Sequence, residues 1–257
     1  MKLPRLKTVL ITPLVLFAIV YLYGAISLAL RDGSIEVYEG PVASFETVAI
    51  FGASGTTGDG ILKAALAAAE IGSIHVITRR MTARIEEGVA SGKVQVTEHM
   101  DYLDYAAIED LFMDVDAVYW AIGISARGVD EKTYGMIHTD FPREFVEAWL
   151  SVSDKPDISF HFISSSDLSE DSSMMWVREK IRAEKTLFGL ADGTKLRVIA
   201  YRPDYIGPTE EEAHIGQQFL YGFFAPIGAA VRAVQIGEAM IEVTARGSQF
   251  ANGDKIG

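Results

Sequence analysis

The chain of 257 residues contains no cysteine, which excludes disulfides, a thiolate nucleophile and cysteine-ligated zinc. Redox compartment therefore leaves no mark on it. Acidic side chains are missing from its start: none occurs before Asp32, whereas Lys2, Arg5 and Lys7 do. With those three cations set aside, 20 basic residues face 35 acidic ones over the remainder, a net of −15. Such a surface repels phosphate backbones, so no nucleic acid is expected as a partner. Walker loops and nucleophile elbows are absent from the sequence, and the five histidines are scattered. His75 and His161 fall in strand patterns as packed or edge residues. Glu210 and His214 stand at the i, i+4 spacing two ligands on a helix would use, but no third ligand joins them, so no metal site is expected.

Charge is also absent from Thr8 to Leu30, a run of 23 residues. As a helix of about 1.5 Å per residue it reaches roughly 34 Å, enough for a hydrocarbon core of about 30 Å. Residues 1–30 thus read as a single-pass membrane anchor, with residues 8–30 in the bilayer. Ser27-Leu28-Ala29 resembles a signal cleavage site, but signal cores are shorter, about 7–15 apolar residues. Lys2, Arg5 and Lys7 would hold the N-terminus inside and send the domain across the membrane. The site described next suits the interior, so the domain is expected on the cytoplasmic side. Residues 31–45 contain Gly and Pro without a sustained period and read as a tether. Residues 46–257 are then long enough for one sizeable core.

That core opens with an apolar run, TVAIF at 47–51, followed by GASGTTG at 52–58 and the helical pattern ILKAALAAAEIG. Strand, glycine turn and helix stand in the order of a phosphate-binding βα unit. Gly52 permits the tight turn, Gly55 admits a pyrophosphate close to the backbone, and Gly58 lets the helix pack near the strand. Ser54, Thr56 and Thr57 complete the expected phosphate contacts at the helix N-terminus. The next strand pattern, SIHVITRR, ends in Arg79 and Arg80 where an NAD(H) site would carry an acidic residue. Paired guanidinium groups suit a ribose 2′-phosphate, which favours NADP(H) over NAD(H).

Strand and helix patterns alternate to the end of the chain: VQVTEH, the helix-like AAIEDLFMD, DAVYWAIG, the helix YGMIHTDFPREFVEAWL, ISFHFISSS, the MWVREK helix and LRVIAYRP. Six strands predict a Rossmann-type, doubly wound parallel sheet in the order 3-2-1-4-5-6, preceded by the transmembrane helix. Asp101, Ala121, Gly123 and Ser164 to Ser166 fall at the carboxyl ends of those strands, where the dinucleotide would lie.

These motifs, with FISSS at 162–166, Lys180 and Glu184 on one helix, YRPDYIGP at 201–208 and IGEAMIEV at 236–243, resemble the short-chain dehydrogenase/reductase superfamily. The likeness is to its atypical branch of NAD(P)H-binding, NmrA-like and Tat-interacting-protein-like members, over residues 46–257. It implies a Tyr-x-x-x-Lys pair, in which the lysine lowers the phenol pKa and holds the nicotinamide ribose while a nearby serine holds the substrate oxygen. Lys180 matches, with Ser164 or Ser165 for the serine. Four residues before Lys180 stands Trp176, and no tyrosine lies between Tyr134 and Tyr201. An indole donates a hydrogen bond but has no proton to exchange near neutral pH.

The expectation is therefore a membrane-anchored NADP(H)-binding protein without strong turnover, a sensor or a structural subunit with a protein partner in a membrane assembly. The alternative is an NADPH-dependent oxidoreductase acting on a small or apolar carbonyl. From about residue 204 the chain should build the substrate side. There FLYGFFAPIGAAV at 219–231 could be core, a lid, a docking surface or a segment on the membrane.

Overall fold

Apolar runs that are buried on both faces become parallel strands covered by helices on either side, and this chain follows that rule. The computed structural model describes residues 6–30, 40, 42–211 and 213–257. Most of the expected tether, residues 31–39 and 41, lies outside them. Helix α1 (Leu6–Ala29) comes first. Its stretch Ile11–Ala29 is long and apolar enough to cross a membrane or to serve as a signal sequence.

The Rossmann unit then runs β1 (Thr47–Phe51), α2 (Thr56–Ala67), β2 (Ser73–Thr78), α3 (Ala83–Ala90), β3 (Val94–Glu98) and β4 (Ala117–Trp120). It continues with α4 (Glu131–Gly135), α5 (Phe141–Val152), β5 (Ile158–Ile163), α6 (Met175–Ala191) and β6 (Leu196–Tyr201). After these come β7 (Tyr205–Gly207), α7 (Ile215–Phe224), β8 (Ala230–Arg232), α8 (Ala233–Arg246) and β9 (Lys255–Ile256). The main sheet is ordered β3-β2-β1-β4-β5-β6-β9, every neighbouring pair parallel. The predicted order is thus extended by β9, two residues too short to announce themselves as a strand. β7 and β8 form a separate parallel pair.

Alternate residues of β1 feed two cores. Val48 and Ile50 pack with Ile61 and Leu62 of α2 and Ile236 and Met240 of α8. Ala49 and Phe51 face Phe145 and Trp149 of α5 and Leu187 of α6. Phe51 stacks on Trp120 with ring centroids 4.7 Å apart, and the Trp149 indole N–H donates to the Phe112 carbonyl at 3.0 Å. On the opposite face α2 and α8 meet closely: a Cβ at Gly60 would lie 2.4 Å from the Ala233 carbonyl carbon.

Two local expectations need correction. AAIEDLFMD, at 106–114, forms only a 3-10 turn at Glu109–Phe112. The segment is too short to hold a helix by itself, and side-chain turns at Asp101 and Asp104 precede it. Nor do Glu210 and His214 share a helix. Glu210 lies in a turn, and His214 is the N-cap of α7, which starts only at Ile215. Among the described residues no group of three His, Cys, Asp or Glu is placed to hold a metal. The segment 134–150 is helical, with a π turn at Met136–Asp140 joining α4 to α5. Pro142 has no N–H to return to the helix, so the ladder is re-spaced one residue earlier.

His161 lies at the centre of the sheet with no exposed surface. Its Nδ1 is 3.0 Å from the Tyr201 hydroxyl, and its Nε2 is 2.9 Å from Ser159 Oγ and 3.1 Å from Thr244 Oγ1. Burial, helped by the charge of Arg197, pushes its pKa from 6.5 down to about 3. Between those values the unfolded chain binds the proton and the folded one does not, so His161 lowers stability as pH falls through that window. His161→Gln should flatten the acid side of the stability curve by up to about 1.4 kcal/mol per pH unit. Urea unfolding at several pH values measures the slope; an unchanged slope would show that His161 is already protonated in the fold.

Candidate functional site

The loop between β1 and α2 sets the geometry of the site. Gly52 has φ of +80°, and a Cβ there would lie 2.7 Å from the Ala121 carbonyl carbon. A Cβ at Gly58 would stand 2.0 Å from the Gly52 carbonyl oxygen, so only glycine lets α2 start this near the strand. Gly55, the N-cap of α2, offers no side chain to the first-turn N–H groups. Its missing Cβ would meet only Gly52 O, at 3.4 Å. Backbone donors with a helix dipole behind them and open space in front are what a phosphate requires.

A cleft of about 490 Å³ opens over the carboxyl ends of β1, β2 and β4. Gly52, Ser54 and Gly55 form its floor, with Ala121 and Gly123 on one side. Thr78 ends β2, Arg79 and Arg80 follow it, and among the described residues no carboxylate lines the cleft. Arg80 Nη2 donates to the Ser54 carbonyl at 2.7 Å, and the Arg79 guanidinium stands 5.7 Å from the Tyr102 ring centroid. Asp101 is placed otherwise: exposed, it accepts the Leu103 N–H at 3.0 Å, and its neighbours Met100 and Tyr102 line the cleft instead.

A second cleft of about 330 Å³ shares Gly55, Ala121, Ile122 and Gly123 with the first, so the two form one groove. Thr56 and Thr57 line this half, and Lys180 and His138 close its far end. Lys180 Nζ donates to the Ile163 carbonyl at 2.7 Å. Burial pushes its pKa down to about 8, against the pull of Glu184, so it remains mostly charged at pH 7. His138 was not singled out by any sequence pattern. It reaches the groove from the π turn that Pro142 imposes, with Nε2 3.2 Å from the Ile124 N–H. Burial and then the Lys180 charge hold its pKa near about 3, so it is a neutral ring at physiological pH.

The serines are placed differently from one another. Ser164 is buried and donates to Glu184 Oε1 at 2.6 Å, a carboxylate that also receives Arg202 Nε at 2.9 Å. Ser165 borders a smaller cleft of about 210 Å³ with Asp204, Tyr205 and Phe224. Neither hydroxyl is among the residues lining the groove half that Lys180 closes. Trp176 is half-buried, one helical turn before Lys180 on α6.

No family model matches the chain, and no curated protein sequence does. Solved structures do. A 3-oxoacyl-[acyl-carrier protein] reductase from Brucella melitensis in complex with NAD is 18% identical. It covers 83% of this chain and 95% of its own, at a TM-score of 0.64. An oxidoreductase of the short-chain dehydrogenase/reductase family from Burkholderia thailandensis is 17% identical, covering 83% and 91%, at a TM-score of 0.65. A short-chain dehydrogenase/reductase from Serratia marcescens is 14% identical, covering 82% and 95%, at a TM-score of 0.63. The chain shares their fold.

Proposed function

We propose that this protein is an NADP(H)-dependent oxidoreductase of the short-chain dehydrogenase/reductase type, in the atypical NmrA-like branch, held at a membrane by α1. The observation that carries this reading is the continuous groove, which has a glycine loop and two arginines at one end and a charged, buried lysine at the other. Its residues fit a dinucleotide. Gly52 to Gly58 leave room for a pyrophosphate beside uncapped N–H groups, and Arg79 and Arg80 would bind a 2′-phosphate. Lys180 would hold the nicotinamide ribose. The oxidoreductase names of the fold neighbours favour turnover over the cofactor-holding role expected from Trp176.

A bound nicotinamide would supply hydride to a carbonyl or take it from an alcohol. Lys180 keeps positive charge at that end of the groove through the attraction of Glu184, while its Nζ is held by the Ile163 carbonyl. Trp176 orients by an indole N–H and moves no proton, and neutral His138 gives none up near pH 7. The proton for the substrate oxygen therefore comes from water, and catalysis is slow. A second reading, a holder of NADPH serving as sensor or subunit with a protein partner in a membrane assembly, is favoured by Trp176 alone.

Three measurements test these assignments. Replacing both Arg79 and Arg80 by Ala should weaken NADPH binding about 10- to 100-fold and leave NADH nearly unchanged. Calorimetric titration of the detergent-solubilised chain reads this, and equal losses for both cofactors would refute the 2′-phosphate assignment. Trp176→Tyr should raise NADPH-dependent reduction of apolar aldehydes by about 10² or more. Activity in the variant only would favour the holder, and none in either protein would reject the oxidoreductase. We also place the domain on the interior side, where NADPH is abundant. Added protease should then spare it in sealed inside-in vesicles; digestion would reverse the orientation.

A further inference from the structure

Helix α7 is unlike the helices that cover the main sheet in what it buries. None of its ten residues is buried, yet it reads IGQQFLYGFF, and no charge occurs from Ile215 to Val231. Ile215 is 88% exposed and Phe219 71%. An uncharged, aromatic, water-facing segment is unexpected on a chain this acidic, and such patches mark contact surfaces.

What lies beside it is α1. The Tyr21 hydroxyl donates to the Phe223 carbonyl at 2.7 Å, and the Tyr21 and Phe223 rings stack at 5.2 Å. Phe17 stacks on Phe223 at 6.3 Å. Further along, a Cβ at Gly24 would lie 3.5 Å from Ile227, and one at Gly228 would lie 3.5 Å from Leu28. Phe17, Tyr21, Gly24 and Leu28 are spaced as one helical stripe, and all lie inside the apolar span Ile11–Ala29.

Depth follows from this stripe. Phe17 is twelve residues before Ala29, roughly 18 Å along the helix at about 1.5 Å per residue. Half of a hydrocarbon core is about 15 Å. Even with α1 tilted by about 40°, the Phe17 contact stays roughly 14 Å below the surface. If α1 spans the bilayer, its partner Phe223 cannot remain in water. At ten residues, α7 is too short to cross by itself.

We propose that residues 215–227 form a second membrane element, seated beside α1 in the leaflet nearest the domain, with lipid as the occupant of the exposed Ile215, Phe219 and Leu220 face. This rests on the reading of α1 as a membrane span. Arg232, whose guanidinium lies 4.1 Å from the Tyr221 ring centroid, would mark the domain-facing side of the element.

The absence of cysteine makes the test direct. Phe219→Cys, Val20→Cys and Met81→Cys, each at an exposed position, are labelled with a polarity-sensitive fluorophore in the full chain. The labelled proteins are reconstituted at low density into phosphatidylcholine vesicles, with and without lipids carrying a quencher on the acyl chain. The proposal expects the probes at residues 219 and 20 to shift to the blue and lose intensity to the quencher, while the probe at 81 does neither. A quenched probe at 20 with a water-exposed probe at 219 would overturn the proposal and leave the anchor standing. A water-exposed probe at 20 would overturn the anchor and the proposal with it. A blue-shifted but unquenched probe at 219 would mean that protein, a second copy of the chain, covers the face instead of lipid.

Discussion

Gly58 stands so near the Gly52 carbonyl that the space for one methyl group is missing: an added Cβ would lie 2.0 Å from that oxygen. This contact lets α2 begin directly over the end of β1, and the groove exists because of it. The helix dipole, the uncapped N–H groups and the gap toward Gly123 all depend on α2 starting there. Asp59, one residue on, is buried and accepts from Arg84 at 2.7 Å and from the Thr209 hydroxyl at 2.9 Å. The loop that shapes the groove is thereby tied to the C-terminal part of the chain.

At the other end, a carboxylate organises the site without lining the groove. Glu184 gathers Ser164 and Arg202 and favours the charged form of Lys180. A buried cation without such a partner would shed its proton. Here the ammonium stays near a normal charge while donating to the Ile163 carbonyl. A buried ammonium thus closes one end of the groove, with the half-buried Trp176 indole one helical turn before it on α6. In the proposed reading, the same region meets the membrane, since Phe224 belongs to α7 and also borders the cleft beside Ser165.

Much of this was legible from pattern. TVAIF is β1 residue for residue, and GASGTTG and TRR contribute Gly52, Ser54 to Thr57 and Thr78 to Arg80 to the lining of the groove. Strands β1 to β6 were readable because burial on both faces requires nearly continuous apolar runs. Less visible were elements that neighbours alone stabilise: the two-residue β9, the β7–β8 pair, and the irregular stretch at 106–114. Asp101 was expected at the groove, but its side chain caps the turn at Leu103 while Met100 and Tyr102 line the cleft, because a one-residue difference in a turn decides which side chain meets the groove.

By itself the sequence determined the strand–glycine–helix unit, the cationic end of the groove, the lack of a tyrosine near Lys180 and the uncharged N-terminal run. These are local properties, fixed by which residues stand within a few positions of one another. Only the tertiary structure decided that Ser164 is bound to Glu184, that His138 enters the groove, and that α7 lies against α1. Each of those depends on residues 14 to 202 positions apart, and chain separations of that size leave no periodic trace in sequence.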